Sequence, residues 1–308
     1  MLEPAVITPE ALGFASVDPG AGKSDARAWR KNVGGRAVTF RRVRLLADLE
    51  PIETLQRAVF AGIADRDLWA AGMLVTVAET GGAVISAAVA GQNGGEKIVG
   101  FAIGWGGFVS GRPRILSDML GVLPGFRGDG LGAELKKLQA ALAVAGGFVE
   151  MVWTVDPLRA ANARLNFEKL GAYADRYEID RYGAEFAADL YGGLPTDRLH
   201  ITWPLTSPDV HRRLLGHVQP RSGAEVEALS VFDPTRRDGA VGGQPARVLV
   251  PLPADIDQLA KADPAAALRW RLQLRETLIA AFAQGYVVTG FAPSATPAVD
   301  PSFLLTLP

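Results

Sequence analysis

Apolar residues recur along this chain in two patterns from residue 37 onward. Short apolar runs bounded by Gly, Pro and Ser are typical of buried strands, and apolar residues three or four positions apart indicate a helix with one buried face. The helical pattern is clearest at Leu49, Ile52, Leu55 and Val59. The predicted strands are residues 37–45, 97–105, 114–122, 149–155 and 197–205, and the predicted helices are residues 46–62, about 130–146 and 161–172.

The order of these elements predicts the fold class. Along the chain they run strand, helix, two strands, glycine-rich loop, helix, strand, helix and two strands. Because strands and helices do not alternate strictly, this order predicts an α/β protein with a mixed sheet, and not a repeated βαβ unit with a parallel sheet.

A second, smaller α/β unit is predicted after about residue 206. Its order of helix, glycine, aromatic strand and strand is similar to that of residues 161–205, which suggests a degenerate half-copy. We therefore expect an N-terminal extension (1–36), a central domain (37–205) and a C-terminal unit (206–308). The predicted elements of this unit are strands at 246–253, 286–292 and 302–307, and a helix at 263–285 with Trp270, Leu274, Leu278 and Phe282 on one face.

Composition and charge exclude several classes of function. The chain has 308 residues, 48% of them hydrophobic, which is enough for two buried cores. Its formal net charge of −1 provides no electrostatic basis for binding nucleic acid or an anionic membrane. No apolar stretch reaches the roughly 20 residues that a membrane span requires. The beginning of the chain lacks a basic segment followed by an apolar one, so we expect no secretory signal and a cytoplasmic location.

The chain has no cysteine and only three histidines, His200, His211 and His217. The absence of cysteine excludes disulfides, thiolate catalysis and Cys-ligated zinc, and it fits a reducing compartment. The histidines do not have the spacing of metal ligands, so no metal site is predicted.

The segment LGVLPGFRGDGLGAELKKL lies between a predicted strand and a predicted helix. Gly128, Gly130 and Gly132 allow the backbone to approach a ligand closely, because no Cβ intervenes. The first turn of the helix presents unpaired N–H groups and the positive end of the helix dipole, and Arg127 adds a positive charge. This pattern favours a pyrophosphate or another polyanion at the helix N-terminus. A glycine-rich turn without a ligand remains the alternative, and a bound anion requires the Asp129 carboxylate to point away.

Two other phosphate-binding motifs do not match. The dinucleotide pattern G-x-G-x-x-G requires a third glycine where Ala133 stands. The phosphate-loop pattern is approached by GAGKSD at residues 20–25, but Val17 occupies the position of its first glycine.

The stretch VLPGFRGDGLGAEL resembles motif A of the GNAT acyltransferases, in which a strand is followed by [QR]-x-x-G-x-[GA] at the start of a helix. The signature corresponds to Arg127, Gly130 and Gly132. The order of elements from about residue 37 to 205 is also similar to that fold. The resemblance implies a GNAT acyl-CoA N-acyltransferase fold with an added C-terminal unit, and acetyl-CoA or another acyl-CoA as co-substrate without a metal.

In that fold the two central parallel strands diverge, and here they would be residues 114–122 and 149–155. The resemblance implies that backbone groups of Leu120 and Val122 bind the pantetheine arm of acyl-CoA. It also implies that the pyrophosphate lies on the loop and helix start formed by Arg127, Gly128, Gly130, Gly132 and Ala133.

The next helix departs from the family pattern N-x-x-A-x-x-x-Y, in which Asn steadies the pantetheine and Tyr protonates the leaving thiolate. Aligned on Ala163, the chain has Ala160 in place of the Asn and Phe167 in place of the Tyr. Asn162 and Asn166 lie nearby, and Asn162 is the candidate for contacting the pantetheine. The general acid is therefore unassigned.

Acyl transfer to an amine also requires a base that removes the ammonium proton. Asp118 is the first candidate, because a carboxylate in an otherwise apolar strand has to be paired, bound to backbone or functional. Strand alternation places it on one side with Leu120 and Val122. Asp156 is the second candidate, although Asp-Pro after a strand is also ordinary turn chemistry. The candidates to replace the missing acid are Tyr177 and Tyr182.

The resulting expectation is an acyl-CoA-dependent N-acyltransferase that acts on a primary amine of a small-molecule acceptor. Acetyl-CoA is the default donor, and a larger acyl group such as succinyl stays open. The alternative is a non-catalytic acyl-CoA-binding module with a regulatory or scaffold role, which the missing Asn and Tyr favour. Three roles are open for the C-terminal unit: covering the acceptor side, extending the sheet, or forming homodimer contacts.

Overall fold

A computed structural model describes residues 7–18, 27–60, 62–91, 93–183, 193–218, 226, 228–235, 244–294 and 299–308. The phosphate-loop interpretation of residues 20–25 lies outside these ranges. No helix in the described ranges combines the length and the apolar character needed to cross a membrane.

The strands include all those predicted and several more. They are β1 (Ala15–Val17), β2 (Arg27–Val33), β3 (Arg36–Val43), β4 (Ala83–Ala90), β5 (Glu96–Val109), β6 (Arg112–Val122), β7 (Glu150–Val155), β8 (Tyr173–Glu178), β9 (Arg198–Pro204), β10 (Arg247–Pro251), β11 (Val287–Ala292) and β12 (Ser302–Thr306).

The described helices include counterparts of the four predicted ones, together with others that were not predicted. They are α1 (Leu46–Val59), α2 (Ala71–Glu79), α3 (Leu131–Ala145), α4 (Ala160–Ala163), which continues as a π-helix (Arg164–Lys169), α5 (Pro208–Leu214), α6 (Ile256–Ala262) and α7 (Pro264–Ala283). α2 and β4 are absent from the predicted order, since their apolar residues form one nearly continuous run that lacks a clear period.

The chain divides into two compact units, Met1–Trp153 with Pro204–Leu215, and Thr154–Trp203 with Gly216–Pro308. These limits differ from the expected boundary at residue 206. The physical reason is that β8 pairs with β11, so residues after 154 already belong to the C-terminal sheet. The expected extension over residues 1–36 is also corrected, because β2 pairs with β3 along its whole length and buries Trp29.

The first unit contains a sheet in the order β1-β2-β3-β4-β5-β6-β7. All neighbouring strands are antiparallel except β6 and β7, which are parallel. α1 and α2 cover one face with a core that includes Phe101 of β5. α3 covers the other face, where Leu131 and Leu135 approach Gly100, the neighbour of Phe101. The mixed sheet predicted from the sequence is confirmed.

The second unit has strand order β9-β8-β11-β12-β10. The pairs β8–β9, β8–β11, β11–β12 and β10–β12 are all antiparallel. The long helix α7 begins at an N-cap, where the Asp263 carboxylate accepts a hydrogen bond from the N–H of Ala266 at 2.9 Å. Its buried residues are Ala267, Arg271, Leu274, Leu278 and Ala281, so an arginine occupies the buried face.

Candidate active site

The candidate site is built where β6 and β7 part. Their parallel pairing ends at Leu116↔Val152, although β6 continues to Val122 with β5 as its antiparallel partner. Among the described strands of this unit, none pairs with the second edge of β6 beyond Leu116. The predicted divergence of the two central strands is therefore confirmed.

Backbone groups of Leu120 and Val122 face this open edge. The N–H of Leu123 donates to the carbonyl of Val99 at 2.9 Å. The backbone groups of Leu123, and therefore also those of Gly121, are directed toward β5. Successive residues of a strand direct their backbone groups to alternate edges. Leu120 and Val122 therefore direct theirs away from β5. The Val122 carbonyl already accepts a hydrogen bond from Arg127 Nε at 2.9 Å, so its N–H and both groups of Leu120 remain at the open edge.

A β-bulge interrupts β6 at Asp118. The register with β5 changes from Gly104↔Ser117 to Ile103↔Met119, which leaves Asp118 as the extra residue. A bulge shifts all later side chains of a strand by one position, so the simple alternation predicted from the sequence fails here.

The bulge places Asp118 and Leu120 on opposite faces of the sheet. The Asp118 carboxylate accepts a hydrogen bond from Trp69 Nε1 at 2.6 Å on the face covered by α1 and α2. Leu120 faces α3, since its Cδ2 would lie 3.7 Å from a Cβ added to Gly132. The expectation that Asp118 shares a side with Leu120 and Val122 is therefore wrong. Asp118 is also exposed, so its place in an apolar strand does not bury its charge.

The loop after β6 presents an array of free N–H groups. Gly128 and Gly130 both have φ of +91°, a left-handed conformation that favours glycine. None of the N–H groups of residues 128–132 donates a hydrogen bond to another described residue. The loop and the first turn of α3 therefore combine free donors with the positive end of the helix dipole.

Asp129 points away from this array, as an anion there requires. Its carboxylate forms an ion pair with Arg36 at 2.6 Å, at the start of β3. A Cβ on Gly34 would lie 2.5 Å from Asp129 Cβ, so the tight turn between β2 and β3 requires glycine at the point of contact. Arg36 also lies over the ring of Phe126, with 5.2 Å between the guanidinium carbon and the ring centroid.

Arg127 anchors the loop. Its Nε donates to the Val122 carbonyl at 2.9 Å and its Nη2 donates to the Val59 carbonyl at 3.0 Å. Val59 is the last residue of α1, where helical carbonyls lack partners within the helix. Arg127 therefore joins α1 to the end of β6 and holds the glycine loop, while its remaining N–H groups lie on the exposed side.

Lys136, on the inner face of α3, is a candidate residue that the sequence patterns did not indicate. Its side chain is only 3% exposed. Nζ donates to Ser117 Oγ at 2.7 Å and lies 3.6 Å from the centroid of the Trp153 ring. Ser117 Oγ in turn donates to Gln139 Oε1 at 2.8 Å. Ser117 and Trp153 directly follow the last paired residues of β6 and β7, so Lys136 lies beneath the point of divergence.

The pKa of Lys136 lies well below the ordinary lysine value, because burial disfavours its charged form. Within the described part of the chain, Lys136 forms no ion pair that would offset this cost. One sequence signal was available: a helix rich in Ala and Leu is buried around much of its circumference, so a lysine within it has a substantial chance of being buried. The apolar period of Leu131, Leu135 and Leu138 does not select Lys136.

Asp156 forms a buried ion pair in the second unit. It is 5% exposed, and its Oδ1 lies 2.8 Å from Nη2 of the fully buried Arg271. The same oxygen accepts a hydrogen bond from the N–H of Leu158 at 3.0 Å, which is the turn geometry expected after a strand. These contacts favour a structural role over the alternative role as a base.

The helix predicted at residues 161–172 is irregular. It changes to a π-helix at Arg164 and ends at Lys169. Asn162 is half-buried, and Phe167 is buried with its ring edge-on to Phe303 at 5.7 Å between centroids. Both lie in the second unit. Phe167 thus occupies the core of that unit and has no hydroxyl to act as an acid.

Tyr177, one of the two tyrosine candidates, is not poised as an acid. The hydroxyl of Tyr177 donates to Asp197 Oδ2 at 2.7 Å. Burial, and then the charge of Asp197, raise the pKa of Tyr177 well above the ordinary tyrosine value, so it holds its proton more tightly. Arg275 completes this group with two hydrogen bonds to the Asp197 carboxylate, at 2.8 and 2.9 Å. Tyr182 is partly exposed, and its hydroxyl lies 3.5 Å from Thr154 Oγ1.

Comparison with known proteins identifies no family model and no curated protein that matches the chain. Solved structures do match about half of it. A GNAT-family acetyltransferase from Streptococcus pneumoniae is 15% identical, with a TM-score of 0.41 over 54% of this chain and 97% of its own. The ribosomal-protein alanine N-acetyltransferase of Escherichia coli is 18% identical, with a TM-score of 0.42 over 55% of this chain and 95% of its own.

A third match is a GNAT-superfamily phosphinothricin acetyltransferase from Sinorhizobium meliloti, solved with acetyl-CoA. It is 16% identical, with a TM-score of 0.39 over 60% of this chain and 94% of its own. At these values the likeness is one of fold, and no substrate or partner follows from it. In fold, about half of the chain is similar to GNAT acetyltransferases, and the remainder lies outside that similarity.

Proposed function

We propose that this chain binds an acyl-CoA and transfers its acyl group to a primary amine. The observation that carries the proposal is the array of free N–H groups at residues 128–132, at the N-terminus of α3 and next to the open edge of β6. An acyl-CoA has a pyrophosphate for such an array and an amide-containing arm for an open strand edge.

The binding mode follows from these two features. The pyrophosphate lies on the N–H groups around Gly128, Gly130 and Gly132, and Ala133 follows them in the first turn of the helix. The pantetheine arm adds to the open edge through backbone groups of Leu120 and Val122. The ion pair with Arg36 holds the Asp129 carboxylate away from these N–H groups, so it does not repel the bound pyrophosphate. Asn162 stays a candidate contact for the pantetheine.

The reaction requires an amine nitrogen to attack the thioester carbon, after which the carbon–sulfur bond breaks and the CoA thiolate leaves. Asp118 is the proposed base, since its exposed carboxylate lies at the bulge of the strand that binds the donor. It takes the ammonium proton directly or through one water. A thiol has an ordinary pKa of about 8.5, so its thiolate leaves without an obligatory acid and takes a proton from solvent. This chemistry tolerates Phe167 where the family often has Tyr.

The second candidate function is an acyl-CoA-binding module without catalysis. It is favoured by one observation, the burial of Phe167 in place of an acidic hydroxyl. Acetyl-CoA is the donor that we propose first, with a small-molecule amine as acceptor and no metal.

The test is release of free thiol from acetyl-CoA across a panel of primary amines, with the product identified by mass. Binding of CoA is measured in parallel by calorimetry. We expect saturable CoA binding and thiol release with at least one amine class. Binding without thiol release for any amine would support the module instead, and absence of CoA binding would overturn both functions.

A further inference from the structure

A cavity of about 310 Å³ lies in the first unit at the C-terminal end of α3, away from the glycine loop at its N-terminus. Arg27 of β2, Arg42 of β3 and Gln139 of α3 are its polar lining residues. Ile115, Leu142 and Phe148 contribute apolar surface. Its volume is at the lower end of the range typical of small-molecule sites.

The two arginines are an unusual pair. Arg27 and Arg42 are directly opposite each other on neighbouring antiparallel strands, an arrangement in which like charges are destabilising. Among the described residues, neither they nor the nearby Arg44 forms an ion pair with a carboxylate. The pKa of Arg42 is lowered, first by burial and then by the charges of Arg44 and Arg27. A bound anion would relieve this repulsion.

Two of the residues that line this cavity have buried hydrogen-bond donors without acceptors. Arg42 Nη2 donates to the carbonyl of Gly82 at 3.2 Å, but its Nε is buried without an acceptor among the described residues. Gln139 is 1% exposed, and its Nε2 is likewise buried and unpaired in the described part of the chain. Leaving a buried donor unpaired is destabilising. A ligand with an anionic acceptor would satisfy both donors.

The end of α3 presents a counter-argument, because the carbonyls there repel anions. These carbonyls are capped, however. The N–H of Gly146 donates to the carbonyls of Leu142 and Ala143 at 3.0 Å, and the N–H of Phe148 donates to that of Ala143 at 3.0 Å. Capping leaves the arginines as the dominant charges at the cavity.

We propose that this cavity binds a small carboxylate that carries an apolar group. The carboxylate pairs with Arg27 and Arg42 and accepts a hydrogen bond from Gln139 Nε2, and the apolar group packs on Ile115, Leu142 and Phe148. The proposal goes beyond acyl transfer, and it does not depend on the acyl-CoA site.

The experiment compares three probes by calorimetric titration into the full chain. Phenylacetate supplies a carboxylate and an apolar ring, phenylacetamide keeps the ring without the charge, and inorganic phosphate keeps charge without the ring. Every titration is run with and without saturating CoA, so that binding at the glycine loop is recognised. We expect phenylacetate to bind at one site in the millimolar range or tighter, and equally well with CoA present.

Charge-assisted hydrogen bonds predict the size of the differences. Phenylacetamide should bind at least about tenfold more weakly than phenylacetate, because it lacks the charge. Phosphate should also bind at least about tenfold more weakly, because it has no apolar ring to bury. Arg42→Gln should weaken phenylacetate by a similar factor, and so should Arg27→Gln, whose exposed position leaves folding intact. Arg44→Gln is the matched control, because it removes the same charge from a residue that does not line the cavity. The affinity of this variant for phenylacetate should stay within about threefold of that of the unmodified chain, since Arg44 makes no contact with a ligand in the cavity.

The side-chain amide resonance of Gln139 is the second readout, and it should shift as phenylacetate binds. Equal affinities for phenylacetate and phenylacetamide would overturn the proposal, as would a phosphate affinity equal to that of phenylacetate. Equal losses in Arg42→Gln and Arg44→Gln, displacement by CoA, or binding that leaves the Gln139 amide unshifted would also overturn it.

Discussion

Replacing Gly132 by Asp separates anion binding from the stability of the helix that binds the anion. Gly132 lies in the first turn of α3, and a Cβ there would make only an ordinary contact of 3.7 Å with Leu120 Cδ2. A carboxylate in a first helical turn gains about 0.3–1 kcal/mol from the helix dipole. Removing a helical glycine gains roughly 0.5–1 kcal/mol more. The free Asp variant should therefore be at least as stable as the unmodified protein.

The same carboxylate faces the proposed pyrophosphate. Two like unit charges 4 Å apart repel by about 4 kcal/mol at an effective dielectric constant of about 20. If salt screening halves this value, about 2 kcal/mol remains, which weakens CoA binding about 30-fold because 1.4 kcal/mol is tenfold. Gly132→Asn is the matched control, since it has the shape of the Asp variant without its charge.

The assay is thermal unfolding with and without CoA, followed by calorimetry. CoA at 100 times its Kd should stabilise the protein by about 2.7 kcal/mol. This corresponds to a Tm increase of about 5–10 °C, at about 2–4 °C per kcal/mol for a folding unit of this size. The increase should fall to about a third in Gly132→Asp, because 30-fold weaker binding leaves CoA at only about three times its Kd, and it should be largely kept in Gly132→Asn. The difference should narrow at high salt. Equal CoA affinity in the two variants would refute the placement of the pyrophosphate on α3.

Three further substitutions test the remaining roles. Asp118→Asn should lower turnover about 100-fold with CoA affinity unchanged, and normal turnover would exclude it as the base. Asp156→Asn should lower the free energy of unfolding in urea by about 3–5 kcal/mol, because it leaves the buried Arg271 unpaired, whereas a change under about 1 kcal/mol would contradict that. Between the lowered pKa of Lys136 and the ordinary value of about 10.4, the unfolded chain binds a proton that the folded chain does not. Stability therefore rises with pH in this window, by up to about 1.4 kcal/mol per pH unit relative to Lys136→Met, and parallel urea-unfolding profiles would contradict the shift.

Local patterns predicted the elements that carry the site. The apolar face of α1 lies at Leu49, Ile52, Leu55 and Val59 as expected, since a single period decides which side of a helix is buried. That face depends on a few neighbouring residues. The divergence of β6 from β7 agrees with what the resemblance implied, and Asp129 points away as a bound anion requires, although its partner Arg36 is distant in sequence.

The features that sequence could not predict depend on partners far along the chain. The bulge at Asp118 arises from the register that β6 adopts against β5, which the apolar pattern of β6 does not contain. The buried face of α7 includes Arg271, where apolar spacing selected Trp270, because Asp156 supplies the compensating charge. Lys136 is similar, since its burial follows from the packing of α3 against the sheet.

The hydrogen bonds from Lys136 through Ser117 to Gln139 have a direction. A protonated lysine can only donate hydrogen bonds, so Ser117 Oγ accepts one from Lys136 and donates its own to Gln139 Oε1. This arrangement leaves Gln139 Nε2 on the side of the cavity. A neutral amine can also accept a hydrogen bond. Ser117 Oγ can then donate to Lys136 Nζ and accept from Gln139 Nε2. In that state Gln139 presents its carbonyl oxygen to the cavity. The protonation state of Lys136 thus selects whether Gln139 offers a hydrogen-bond donor or an acceptor to the cavity at the C-terminal end of α3.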